Sequence, residues 1–84
     1  MWSKMQWVKK PDGKELVIVN QHTFYIKHKG KDTLNWSCTS PHCKSRLTTT
    51  SDEKPWERRI LSLKEKHAHS PPQYVIAHGF YVKL

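Results

Sequence analysis

The sequence predicts a mainly β fold: a small antiparallel sheet of four to five strands that cannot stand without a staple. Three observations predict it. Short runs of β-branched and aromatic residues alternate with turn signals. No stretch carries a sustained helical period. The chain has 84 residues, of which 36% are hydrophobic, and a domain of that size buries too little apolar surface to be comfortably stable.

Taken in order, residues 1–11 hold Trp2 and Trp7 among lysines and close on Pro11. "PDGK" at 11–14 is a turn signal, with proline presetting one torsion and glycine accepting a positive φ. "ELVIVN" at 15–20 reads as the first strand, and "NQH" turns the chain. "TFYIKH" at 23–28 is a second strand, Phe24 and Ile26 on one face, Tyr25 and Lys27 on the other. "KGKD" turns again, and "TLNWSC" at 33–38 alternates so that Leu34, Trp36 and Cys38 share a face. "TSPH" leads to "CKSRLTTT", another strand candidate, and after the polar loop "SDEKP" the run "WERRILSL" at 56–63 is the last strand of the core. "KEKHAHSPP" follows, and its prolines end any regular element. The final "QYVIAHGFYVKL" is an apolar alternating tail with no evident place in the finger; it either docks on a partner or packs back over its own sheet and completes a small core.

The net charge is +8. That balance suits a polyanion or an acidic protein surface, although the basic residues are scattered rather than massed in one tract. "MWSKMQWVKK" contains no apolar run of the secretory type, and no segment reaches the length of a membrane span. A reducing compartment is therefore expected, where paired cysteines serve metals more often than disulfides.

Cys38 and Cys43 form a C-x4-C pair, within the spacing of a structural zinc knuckle. Taken alone the pair is also compatible with two core thiols or a short-loop disulfide. His67 and His69 supply a distant H-x-H. In an extended segment, residues two apart point to the same side, so both imidazoles reach one ion. Together the four make a complete Cys2His2 set for one structural Zn2+, joining the third strand to the far end of the core. His42 lies between the cysteines, but its short tether to Cys43 makes joint tetrahedral binding awkward. Structural zinc is worth roughly 10–16 kcal/mol in small fingers, against roughly 5–15 kcal/mol for a whole domain, so the metal-free chain is expected to be poorly folded. Four protein ligands leave no open position for catalysis. There is no Ser/His/Asp order to exploit, no phosphate-cradling loop among three glycines, and no carboxylate pair placed by spacing. No enzyme is expected.

The order of apolar strand, "FY" at 24–25, "WSC" at 36–38, Cys43 and then "HAH" before "PP" resembles the FLYWCH-type zinc finger. Trp7 or Val8, Leu16, Phe24 and Trp36 fall on the family's Phe, Leu, Tyr and Trp positions, with Cys38, Cys43, His67 and His69 on its ligands. Lys44, Ser45 and Arg46 resemble its basic stretch. Asn20-Gln21 stands where the family often has Asp-Gly. The resemblance implies a twisted antiparallel sheet related to WRKY and GCM zinc domains. It divides the chain into an extension at 1–6, a finger at 7–72 and a tail at 73–84. The chain is also similar to the C-terminal modules of insect chromatin-insulator proteins that carry a BTB domain, which implies an excised module of a longer nuclear, chromosomal protein.

Two functions are then expected. The first is recognition of a nuclear or chromatin protein, or self-association, through the tail residues Tyr74, Val75, Ile76, Phe80, Tyr81 and Val82, aided by Trp2, Trp7 and Trp56. The alternative is DNA binding through Lys27, Lys29, Lys31, Lys44 and Arg46. Neither a membrane nor a small-molecule substrate is expected.

Overall fold

The computed structural model describes residues 5–84, so Trp2 lies outside the described residues. Eight strands form one curled sheet: β1 (Met5–Lys9), β2 (Glu15–Val19), β3 (His22–Lys29), β4 (Thr33–Cys38), β5 (Arg46–Thr50), β6 (Ile60–Lys64), β7 (Tyr74–Ala77) and β8 (Phe80–Lys83). Their order across the sheet is β6-β5-β4-β3-β2-β1-β8-β7. Neighbours are antiparallel, except that β1 meets β8 in parallel at the single pair Lys9↔Phe80. The fold is mainly β as expected, with eight strands in place of four to five.

Three strands account for the difference. Residues 5–9 form β1, which pairs with β2 along its whole length; the adjacent Trp7 and Val8 break the alternation that usually marks a strand. The tail folds into the β7–β8 hairpin across His78 and Gly79, both at positive φ (52° and 80°), the backbone of a two-residue turn that matches strand twist. The segment read as one strand at 56–63 divides into a 3₁₀ turn, Pro55–Glu57, and β6, because proline presets the first helical torsion.

β2 explains why the hairpin is needed. "LVIV" is apolar at every position, which means cover on both faces. Val17 and Val19 join Phe24, Leu34, Trp36, Cys38 and Leu47 in the main core. Leu16 and Ile18 point the other way, into a second cluster with Val8 and Tyr81, flanked by Tyr74. The tail therefore covers the back of its own sheet, and the aromatics Tyr81 and Tyr74 supply that cover.

In the main core, Leu34, Trp36 and Cys38 share the inner face of β4 as their alternation predicts. Trp36 is fully buried, and its indole N–H donates to Thr49 Oγ1 at 3.0 Å. Trp7 packs on Trp36 with ring centroids 5.6 Å apart. The Arg58 guanidinium lies 5.2 Å from the Trp7 ring centre and donates to Glu15 at 2.8 Å. Trp7 is thus a core residue, which corrects its reading as an interface anchor. Trp56 is 74% exposed.

The β2–β3 hairpin carries a local cost. Asn20 and Gln21 both sit at positive φ (50° and 73°), the same two-residue turn geometry for which Asn-Gly or Asp-Gly is preferred. Glutamine has a Cβ that disfavours this conformation.

Candidate metal centre and basic groove

Cys38 is the last residue of β4, and Phe24↔Cys38 register ties it to β3. The chain then turns, with the Cys43 N–H donating to the Ser40 carbonyl at 3.3 Å. Arg46 Nη1 holds the knuckle shut by donating to the carbonyls of Cys43 (3.1 Å) and Ser45 (2.8 Å). His67 and His69 come from the extended segment after β6, docked where the Lys66 N–H donates to the buried Ser45 Oγ at 2.8 Å.

These elements bring all four sequence-predicted donors together. Cys38 Sγ lies 3.7 Å from His67 Nδ1 and 3.5 Å from His69 Nε2, and Cys43 Sγ lies 3.5 Å from His67 Nδ1. With metal bonds of about 2.3 Å to sulfur and 2.0–2.1 Å to nitrogen, a tetrahedral zinc sets S and N roughly 3.6 Å apart. The three distances match the edges of that tetrahedron. Both cysteines are free thiols.

The ring protons are also in the right place. A carbonyl only accepts, so the 2.9 Å contact from His69 Nδ1 to the Ser70 carbonyl puts the proton on Nδ1 and leaves the Nε2 lone pair facing Cys38. Glu65 lies 3.5 Å from His67 Nε2, near enough to attract a proton there but not aligned as a hydrogen bond, and Nε2 has no hydrogen-bond partner among the described residues. Glu65 is itself held by Asn20 Nδ2 at 2.5 Å.

The two thiols differ. Burial pushes Cys38 above the ordinary thiol range. Burial also pushes Cys43 up, but hydrogen bonds from the Ser45 side chain and backbone, with His69 and Cys38, outweigh it and bring the thiol down to about 6. Cys43 is therefore poised as a thiolate, the form that binds metal.

A fifth donor, which the sequence reading missed, stands at the same place. His22, 8% exposed at the start of β3, stacks on His67 with ring centroids 3.5 Å apart and planes 5° from parallel. Donor atoms of His22, Cys38, His67 and His69 all lie within 4.8 Å of one another. An imidazole lone pair lies in its own ring plane, however. An ion held by His67 Nδ1 lies in the His67 plane, so the parallel His22 ring does not aim at it. Nothing in its spacing marks this residue in the sequence, where "NQH" reads as a turn.

A family model for the FLYWCH zinc finger domain matches residues 7–69. The chain belongs to that family. No curated protein and no solved structure matched it. The FLYWCH match ends at His69, so the β7–β8 hairpin lies beyond it. The FLYWCH assignment and the cluster of Cys38 with His22, His67 and His69 fit one structural zinc.

On the back of the sheet, beside the hairpin, lies a groove of about 860 Å³. Lys10, Lys14, Lys27, Lys29 and Lys83 line it, with Leu16, Tyr25 and Tyr81. Its one acidic residue, Glu15, is engaged by Arg58. Of the basic residues singled out in the sequence, Lys27 and Lys29 reach this groove. Lys31, Lys44 and Arg46 do not line it, and Arg46 is occupied with the knuckle. Lys10, Lys14 and Lys83 were missed because they are distant in sequence. Among the tail residues, Tyr81 is buried in its own sheet, which corrects its reading as a partner contact, while Tyr74 packs beside it half-buried. Val75, Ile76 and Phe80 are each about two-fifths exposed.

Proposed function

We propose that Cys38, Cys43, His67 and His69 hold one structural zinc, and that the domain so stapled binds nucleic acid through its lysine groove. The groove carries the second part of this reading: five ammonium groups line one depression whose single carboxylate is already neutralised by Arg58. Lysines act as point charges toward phosphates, without the bidentate fork that arginine brings to guanine. The groove therefore suits phosphate-backbone binding with little base readout. Tyr25, exposed within it, offers a face on which a base can stack. A nuclear, chromatin-associated setting accords with such a ligand.

The test is fluorescence anisotropy with labelled single-stranded and duplex oligonucleotides, using the zinc-loaded domain. Binding is expected to be abolished in Lys27→Glu/Lys29→Glu with zinc content unchanged. Undiminished binding by that variant would refute the groove.

A second reading, protein recognition through the hairpin, rests on the edge strand β7. Edge strands offer unpaired backbone groups for strand addition, and Val75 and Ile76 are exposed there. Val75→Lys on this edge is expected to abolish pulldown of a nuclear protein in the presence of nuclease, and retention would remove the edge from consideration.

A further inference from the structure

We infer that His22 is a reserve zinc ligand, able to replace Cys43 in a site that keeps Cys38, His67 and His69. The inference rests on the four-ligand reading above. Two quartets of donors overlap in this structure. Cys38, Cys43, His67 and His69 show the edges of a tetrahedron. His22, Cys38, His67 and His69 have donor atoms within 4.8 Å of one another. Three members are common, and the exchange is Cys43 for His22.

The two exchangeable residues differ in how they are held. Cys43 sits in the loop between β4 and β5 and is partly exposed, so it is the thiol that reagents reach first. His22 is buried, and its Nδ1 has no hydrogen-bond partner among the described residues. A buried polar atom left unpaired is destabilising, and ligation would satisfy it. The His22 ring also faces the edge of His69, with centroids 5.0 Å apart and planes at 82°. The backbone of His22 is held by the Val19↔His22 pair, so the exchange would proceed by turning the ring out of its stack on His67. The second site would be Cys1His3. Thiolate and imidazole both suit zinc.

Cobalt(II) replaces zinc as the probe, because its ligand-to-metal charge-transfer intensity counts thiolates and its d–d bands report tetrahedral geometry. Four proteins are titrated: wild type, Cys43→Ala, Cys43→Ala/His22→Phe, and His22→Phe. Phenylalanine keeps an aromatic ring on His67 and removes the donor. The inference expects a two-thiolate tetrahedral spectrum for wild type and a one-thiolate tetrahedral spectrum for Cys43→Ala. It expects His22→Phe to weaken binding at least tenfold in the Cys43→Ala background and less than threefold in the wild-type background. Equal effects in both backgrounds would make His22 a packing residue and overturn the inference. So would a Cys43→Ala protein that takes up no cobalt. A one-thiolate spectrum for wild type would instead overturn the four-ligand reading.

Discussion

The salt dependence of nucleic-acid binding is the sharpest check on the groove, because the structure fixes its size. Each phosphate neutralised by a lysine releases condensed counterion, so log K falls with log salt at a slope of about −0.9 per contact on duplex DNA and −0.7 on single strands. Five lysines line the groove. If all five meet phosphates, the slope is about −4.5 for duplex and about −3.5 for a single strand. Raising salt from about 50 to 200 mM, a fourfold change, then weakens duplex binding roughly 500-fold and single-strand binding roughly 130-fold. Lys83→Gln removes one contact and makes the duplex slope shallower by about 0.9. Lys83 is the informative choice because it sits in the hairpin, outside the FLYWCH match. The measurement is anisotropy over five salt concentrations for wild type and Lys83→Gln. A wild-type slope near zero would mean that binding is not made by these charges. A Lys83→Gln slope equal to wild type would mean that the hairpin wall takes no part, and either result refutes the reasoning.

Four further outcomes are expected. Cys38→Ser and His69→Ala should each abolish the cooperative thermal transition and stoichiometric zinc in metal analysis, since the metal supplies folding energy; a variant that melts like wild type would exclude the site. Gln21→Gly should stabilise the zinc-loaded domain by about 1 kcal/mol, by relieving a side chain held at positive φ, read as a rise in the denaturant midpoint at unchanged slope. Tyr81→Ala should cost roughly 2–3 kcal/mol by uncovering Val8, Leu16 and Ile18, and hydrogen exchange should show β7 and β8 losing protection ahead of β2–β5. The Cys43 thiol is lowered from its ordinary 9.0 to about 6 in the fold. A depressed acid favours the folded state where it is ionised, fully above pH 9 and with loss as the pH falls through about 6; zinc, which needs the thiolate, acts in the same sense. The melting temperature should therefore drop between pH 7.5 and 5.5, and a flat profile would contradict this.

The parts of the fold that were legible in the sequence are those where one side chain pattern had one explanation. β4 alternates cleanly, and Leu34, Trp36 and Cys38 do share a buried face. The H-x-H segment had to be extended because of the prolines after it, and both imidazoles do meet Cys38. β1 and the hairpin were harder because their burial depends on distant partners. Val8 is buried in a cluster that Tyr81 completes from the far end of the chain, and no local period encodes that. Yet "LVIV" in β2 did carry the information: an unbroken apolar run in a sheet requires cover on both faces, and the only apolar segment without a place was the tail. His22 was invisible for a different reason. Its importance comes from a stack on a residue 45 positions away, and a histidine at the start of a strand has no spacing rule to announce it.

The same topology couples the metal centre to the groove. The segment at 65–69, which carries the candidate ligands His67 and His69, is held on Ser45 and leads directly through Pro71 and Pro72 into β7. Prolines stiffen that connection, so the direction in which the hairpin leaves is set where His67 and His69 are pinned. The hairpin meets the rest of the sheet through one residue pair, Lys9↔Phe80, and the Tyr81 cluster, which is little area to hold it against the entropy of a free tail. Release of His67 and His69 removes the other anchor. The wall that carries Tyr81 and Lys83 would then leave the groove while Lys10, Lys14, Lys27 and Lys29 stay on β1–β3 and their turns. A zinc held by His67 and His69 would therefore do more than hold a small sheet together: by fixing the end of the family domain, it would also set where the hairpin beyond it begins.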